Sequence, residues 1–149
     1  MASNSITLKV KGHDHLKYKF QQYGRRIESG SKQSLSQVAK LLKTDVIKQI
    51  KKQVGTRGIR YNPKRSVVVS REGEYPNDDL GGLVRGIRAY VKKTGRNRYT
   101  VMFESRAPYA LDLEMGTVKM PKGRPYMKPT LAKNRKKIAA IMRRGAKVA

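Results

Sequence analysis

The sequence offers few residues that could do chemistry, and the first of them are His13, Asp14 and His15. Imidazole and carboxylate groups at this spacing suggest a metal-ligand set or a proton-transfer pair. A zinc site needs about three or four protein ligands, whereas the chain holds no further His and no Cys. The favoured interpretation is therefore a solvent-exposed pair near the start of a helix.

A second candidate is the acidic segment with Glu72, Glu74, Asp78 and Asp79. Carboxylates bind hard cations, but this segment lacks the ligand spacing of a calcium loop, which favours solvated loop acids or salt bridges. The Gly-Gly pair at 81–82 has no Gly-Lys-Ser/Thr partner and does not indicate a phosphate loop. Since no Ser-His-Asp or Cys-His arrangement is present either, we predict no catalytic, cofactor-binding or metal-binding residue and no enzymatic activity.

Charge dominates the composition. The chain has 35 Lys and Arg against 10 Asp and Glu, a formal net charge of +25 at pH 7. Every charged residue after Glu114 is basic, and Asp45 is the only acid between Glu28 and Glu72. Self-repulsion on this scale opposes compaction, so the sequence predicts an anionic partner. A solvated face, contact with DNA phosphates and docking on an acidic protein all remain open.

The same composition bounds compartment and size. The absence of Cys excludes disulfides and suits a reducing cytoplasm. No apolar run reaches membrane-span length, and the N-terminal Met-Ala-Ser-Asn-Ser does not resemble a signal peptide. We therefore expect no membrane association and no secretion by that route. A chain of 149 residues predicts a single domain over 1–149, with flexible ends at 1–4 and 145–149.

Periodicity in the first half predicts a strand and two helices. Apolar residues alternate over 6–10, as in a half-buried strand, and recur at helical spacing over 13–27. Gly30 is expected to end or kink this first helix. A second helix, capped by Ser31 or Ser34, then carries the most regular apolar stripe of the chain and stops near residue 55. The stripe comprises Leu35, Val38, Leu42, Val46 and Ile50.

The second half predicts shorter elements. Three Val at 67–69 suggest a strand, and Asp79 is the expected cap of a short helix through 80–87. Alternation over 87–91 and 99–103 around a Gly-bearing turn predicts a hairpin. A helix from Pro108 to Gly116 follows, and a final helix over about 129–144 carries Leu131, Ile138 and Met142 on one face. The predicted fold is α+β: a small antiparallel sheet packed against a long helix, with a C-terminal helix.

Two stretches resemble the tail-completion and head–tail joining proteins of long-tailed double-stranded DNA phages. Residues 70–87 are similar to the family's Pro-Gly-x-x-Pro loop followed by Thr-Gly-x-Leu, a small residue and Ile, with Asp79 and Leu80 in place of Thr-Gly. Residues 109–131 match more closely: an aromatic-Ala pair at 109–110, Glu-x-Gly-Thr at 114–117, and Arg-Pro-aromatic-x-x-Pro at 124–129. The second motif also has a structural interpretation, because Gly116 suits a helix C-cap and Glu114 can reach a backbone N–H or Arg124.

The resemblance implies a structural protein of the virion neck, made in the host cytoplasm. It would form a homo-oligomeric ring of six that completes the tail and binds tail-tube and head-connector proteins, with non-specific contact to packaged DNA. The predicted partner-contacting residues are Arg57, Arg60, Lys64, Arg65, Glu114, Gly116, Thr117, Lys119, Lys122, Arg124 and Lys128. The alternative is a free nucleic-acid-binding protein of the nucleoid or ribosomal type, which the charge favours and the scarcity of aromatic residues disfavours. A toxin- or antitoxin-like regulator has no motif in its support.

Overall fold

The computed structural model describes residues 13–52, 70–78, 81–95 and 98–147. The predicted strands at 6–10 and 67–69, the flexible end at 1–4 and the predicted contacts Arg57, Arg60, Lys64 and Arg65 lie outside these residues. In chain order the elements are α1 (His13–Lys51), α2 (Gly82–Gly86), β1 (Ile87–Gly95), β2 (Arg98–Ser105), α3 (Ala110–Met115) and α4 (Met127–Lys147). The α+β fold predicted from the sequence is confirmed.

Helix α1 is one continuous helix of 39 residues, so the predicted break at Gly30 is wrong. The reason for glycine there lies in tertiary packing, because a Cβ on Gly30 would stand 3.2 Å from the carbonyl oxygen of Gly145 in α4. Ser34 does not begin a new helix, and its hydroxyl donates a hydrogen bond to the Gly30 carbonyl oxygen at 2.9 Å. Gly30 thus permits a close helix crossing.

The predicted apolar stripe forms the centre of the molecule. Val38, Leu42, Val46 and Ile50 are all buried on α1. Val46 and Ile50 contact a cluster that includes Leu83 of α2, Ile87 of β1 and Tyr126 just before α4. Burial of these side chains supplies the main favourable free energy of folding. Buried residues of α2, β1 and the segment before α4 therefore pack against one face of α1.

The hairpin is also confirmed. Strands β1 and β2 pair antiparallel, with Val91 opposite Val101 and Ala89 opposite Phe103. This register turns one face of the two-stranded sheet toward α1. An irregularity between Lys93 and Gly95 lies at the turn, where a glycine was expected.

Two predicted helix starts are shifted. The carboxylate at the start of α2 is that of Asp78, which accepts a hydrogen bond from the N–H of Val84 at 2.7 Å; Asp79, the predicted cap, lies outside the described residues. Helix α4 begins at Met127, two residues before Pro129. Proline is tolerated in a first helical turn because the N–H that it lacks would have no intrahelical acceptor there. Helix α4 also continues to Lys147, past the predicted end at Arg144.

Helix α4 contacts α1 through polar side chains. Thr130 and Asn134 are its buried residues, whereas Leu131 and Met142 are exposed. The Asn134 side-chain amide donates to Asp45 of α1 at 2.7 Å, and the Lys133 ammonium lies 3.4 Å from the same carboxylate. Leu131, Ile138 and Met142, predicted to share one face of α4, line one groove beside this contact, and the buried contact itself is made by Asn134.

Asp45 makes the stability of this contact dependent on pH. Partial burial alone would raise its pKa, but hydrogen bonds from Asn134 and Gln49 and the charge of Lys133 outweigh burial and hold the pKa below its ordinary value of 3.8. The carboxylate therefore stabilises the fold fully above pH 3.8, and this contribution is lost as the pH falls through the lower folded-state pKa.

We expect Asp45→Asn to lower the free energy of unfolding at pH 7 by about 1–3 kcal/mol, since charge-assisted hydrogen bonds are lost. Urea denaturation followed by circular dichroism measures this difference. The gap between the two proteins should narrow as the pH falls below about 3.8. A gap that stays constant from pH 7 to the acid limit would contradict the role of this carboxylate.

Candidate functional site

The segment from α3 to the start of α4 folds back on itself around two glycines. Gly116 ends α3 with φ 85°, and a Cβ there would stand 2.6 Å from the Met120 carbonyl oxygen. Gly123 has φ 59°, and a Cβ there would stand 2.8 Å from the Leu113 carbonyl oxygen. Side chains other than glycine are strained at such φ values, and neither position has space for a Cβ. The predicted C-cap at Gly116 is confirmed, and its glycine also permits close backbone packing.

Between the two glycines lies a short closed turn. Thr117 and Met120 exchange two backbone hydrogen bonds, each of 3.0 Å, and the Gly123 N–H also donates to Met120. Val118 at the tip is 99% exposed. This turn, residues 117–122, is called the tip loop below.

Glu114 holds the start of α4. Its carboxylate accepts hydrogen bonds from the backbone N–H groups of Tyr126, Met127 and Lys128 at 2.9, 3.0 and 2.8 Å. The first N–H groups of a helix have no intrahelical acceptor, and the helix dipole favours negative charge at this end. Of the two partners predicted for Glu114, the structure shows the backbone N–H. The carboxylate also fixes the backbone of Tyr126, whose ring is in the core.

The two stretches that carry the family resemblance lie against each other. The Gly73 N–H donates to the Gly123 carbonyl oxygen at 2.8 Å, and the Lys122 N–H donates to the Glu72 carboxylate at 3.2 Å. The Tyr75 hydroxyl is 3.1 Å from the Thr130 hydroxyl. Loop 70–78 therefore supports the tip loop from one side.

The predicted contact residues divide by exposure. Thr117, Lys119, Lys122 and Lys128 are exposed on or beside the tip loop. Arg124 is half-buried, and its backbone N–H donates to the Leu113 carbonyl oxygen at 2.6 Å. Together with Glu114 and Gly116, Arg124 shapes the tip loop that presents the exposed residues.

An open apolar groove lies between α1, β2 and α4. It has a volume of about 710 Å³. Its walls include Leu35 and Leu42 of α1, Phe103 of β2, and Leu131 and Met142 of α4. The groove exists because α4 contacts α1 through Asn134, which leaves the apolar side of α4 facing a gap. Sequence periodicity identifies these apolar residues but not the gap.

The N-terminal part of α1 carries a second exposed apolar surface. Phe20, Tyr23 and Ile27 follow one another at steps of three and four and are 68%, 52% and 52% exposed. At this spacing they lie on one side of the helix, and they are called the aromatic stripe below. Their helical spacing predicted a first helix over 13–27, and in the structure these side chains of α1 are exposed.

Within residues 13–52, 70–78, 81–95 and 98–147, no group of three or more His, Asp or Glu side chains is placed to hold a metal ion. In the same part of the chain, no helix has both the length and the apolar character required to cross a membrane. The loop acids instead bind backbone, as Glu72, Glu74 and Asp78 each accept a hydrogen bond from a backbone N–H.

Comparisons with protein-family models, curated proteins and solved structures give no significant match to this chain.

We expect Glu114→Gln to lower the free energy of unfolding by about 1–3 kcal/mol, because it removes the charge and one of the two acceptor oxygens at the start of α4. Asp112→Asn is the matched control: it removes an exposed acid from the same helix and should change stability by less than about 0.5 kcal/mol. Chemical denaturation compares the two. Equal losses would show that Glu114 has no special role at the start of α4.

Proposed function

We propose that this chain is a structural subunit of the neck of a long-tailed double-stranded DNA phage. In this role it forms a ring that completes the tail and joins it to the head connector, without a catalytic step. The location in the virion rests on the resemblance of residues 70–87 and 109–131 to the tail-completion family. The contact between residues 70–78 and the tip loop supports this location, because both stretches that carry the resemblance meet at the tip loop.

The observation that carries the assembly role is a pair of apolar surfaces on different parts of the same chain. The aromatic stripe is exposed on α1, and the apolar groove is open between α1, β2 and α4. Exposed apolar clusters of this kind mark interaction sites. When two complementary surfaces lie at separate places on one chain, copies can associate head to tail, and they form a ring where the rotation between neighbours closes. We assign the stripe of one copy to the groove of the next, and the closed ring of six follows from the family resemblance.

The tip loop is the proposed contact with other neck components. Its Lys119 and Lys122 and the adjacent Lys128 are exposed, and its apolar tip is rigidly held by the paired glycines. Basic residues around an apolar contact favour an acidic partner surface, since charge speeds encounter and fixes register. The acidic partner is expected among the tail-tube and connector proteins.

The second candidate is a free nucleic-acid-binding protein. Helix α4 favours it, because its exposed Lys and Arg are accompanied by no acid in the same helix. A protein of this type would be a monomer that binds nucleic acid tightly at low salt. Native mass spectrometry of the purified chain, alone and with tail-tube or connector proteins, separates the two candidates.

Replacing Phe20, Tyr23 and Ile27 together by Gln should weaken self-association about tenfold or more, since buried aromatic residues dominate interface energies. The control Gln21→Ala/Gln22→Ala/Arg25→Gln alters the opposite side of the same helix and should leave the ring intact. Native mass spectrometry and sedimentation velocity report the oligomer.

A mixing experiment tests the head-to-tail geometry. Leu131→Lys/Met142→Lys blocks the groove but leaves the stripe. Equimolar mixing of the groove variant with the stripe variant should give dimers only, because a single intact stripe and a single intact groove remain in each pair. Rings in the mixture, or rings of either variant alone, would contradict the assignment.

Reversal of charge at Lys119, Lys122 and Lys128 to Glu should abolish head–tail joining in an infection or assembly assay while the ring keeps its mass. Reversal at Arg57, Arg60, Lys64 and Arg65 tests the other predicted segment. Joining that survives both sets of changes would refute the partner contacts. Particles that are complete without this protein would refute the neck role itself.

A further inference from the structure

A second groove, separate from the apolar one, lies between α1 and β1. It has a volume of about 650 Å³ and is lined with lysines: Lys32, Lys40 and Lys43 from α1, and Lys93 from β1. Its lining also includes the small side chains of Ala39 and Ala89. Small residues between long basic ones leave a concave channel with positive charge along its sides.

Three lysines of α1 lie on one side of the helix. Lys32, Lys40 and Lys43, with Ser36 between the first two, succeed one another at steps of four and three. At a rise of about 1.5 Å per residue, Lys32 and Lys43 are separated by about 16 Å along the helix axis. The row continues to the sheet through Lys93, whose ammonium lies 6.0 Å from the centre of the Tyr99 ring.

Little negative charge opposes this row. Glu28 at one end pairs with Lys32 at 3.0 Å and accepts a hydrogen bond from the Tyr99 hydroxyl, and that hydrogen bond, with the charge of Lys32, lowers the pKa of Glu28. The Lys32 ammonium also lies 4.8 Å from the centre of the Tyr99 ring. Among the described residues, no acid lies within ion-pair distance of Lys40, Lys43 or Lys93, although the charge of Lys93 also contributes to the lowered pKa of Glu28.

We infer that this groove, called the lysine groove below, binds the phosphate backbone of double-stranded DNA without reading its sequence. A lysine ammonium offers a point charge to a phosphate oxygen, and a row of such charges suits an anion whose charges repeat along a line. A DNA strand presents a phosphate about every 3.4 Å along the axis, so a row of about 16 Å faces about five phosphates. A rigid helix that presents charges in line suits a rigid duplex.

This inference goes beyond assembly of the neck and does not require it, because the groove is formed within one copy of the chain. In a neck ring it would contact DNA that passes the head–tail junction. In a monomer it would still bind duplex, so binding and ring formation can fail independently.

The test uses the full chain and a 30-base-pair duplex of arbitrary sequence, with affinity measured across a range of salt concentrations. Release of counterions makes log K fall with log salt by about 0.9 for each phosphate contact. Lys40→Gln/Lys43→Gln/Lys93→Gln should therefore reduce the slope by about 2.7, while Lys32 remains with Glu28. The control Lys17→Gln/Lys19→Gln/Lys48→Gln removes the same charge from exposed sites outside the groove and should leave the slope nearly unchanged.

Equal reductions in both variants would overturn the inference, because binding would then follow net charge alone. A poly-glutamate peptide that binds more tightly than duplex, and loses this affinity in the groove variant, would also overturn it in favour of an acidic protein partner. Circular dichroism melting confirms that both variants fold. Native mass spectrometry of the same variants distinguishes a loss of DNA binding from a loss of the ring.

Discussion

Scarcity of acidic side chains is the constraint on which this structure depends. Glu114 illustrates it best, because one carboxylate accepts three backbone N–H groups, begins α4 and places Tyr126 in the core. The Asp78 carboxylate likewise accepts a backbone N–H at the start of α2, and the Asp45 carboxylate joins α1 to α4 by accepting a hydrogen bond from Asn134. Acids committed to internal hydrogen bonds are unavailable to the basic surface. The charge of the lysine and arginine side chains on the described surface therefore has little compensation within the chain.

This constraint also explains the arrangement of surfaces. Helix α4 is held on α1 by the hydrogen bond from Asn134 to Asp45, since polar groups at a buried contact need partners. Its apolar side consequently borders an open groove, while its basic sides face solvent. An apolar groove, a lysine groove and a basic tip loop then lie at separate places on one small α+β domain.

Much of the fold could be predicted from local patterns. The stripe from Val38 to Ile50, the hairpin and the glycine after α3 each follow from side-chain period or backbone conformation, which act over a few residues. The helix break predicted at Gly30 is wrong, because the glycine is there for a contact with Gly145, which is far away in the sequence. The role of Glu114 as an acceptor for a backbone N–H could be predicted because only about a dozen residues separate it from the start of α4.

The surfaces were harder to foresee. In the sequence, Lys40, Lys43 and Lys93 resemble any solvated charge run, and only the packing of β1 on α1 makes them walls of one groove. The apolar groove likewise depends on the rotation of α4, which Asn134 decides and hydrophobic spacing does not. The aromatic stripe has the spacing of a core face. No pattern within α1 reveals at which residue the rest of the domain ceases to cover this helix.

The crossing of α1 and α4 at Gly30 and Gly145 has an evolutionary consequence. A Cβ on Gly145 would stand 1.8 Å from the Ser34 hydroxyl oxygen, so the end of α4 would have to move away from α1. Ile138 and Met142, on the same helix, belong to the apolar groove, and Ile138 lies about 10 Å along the axis from residue 145. A single methyl group at this crossing would thus change the shape of the apolar groove without lying in the groove. Variants at position 145 are therefore expected to evolve together with the residues that fill the groove.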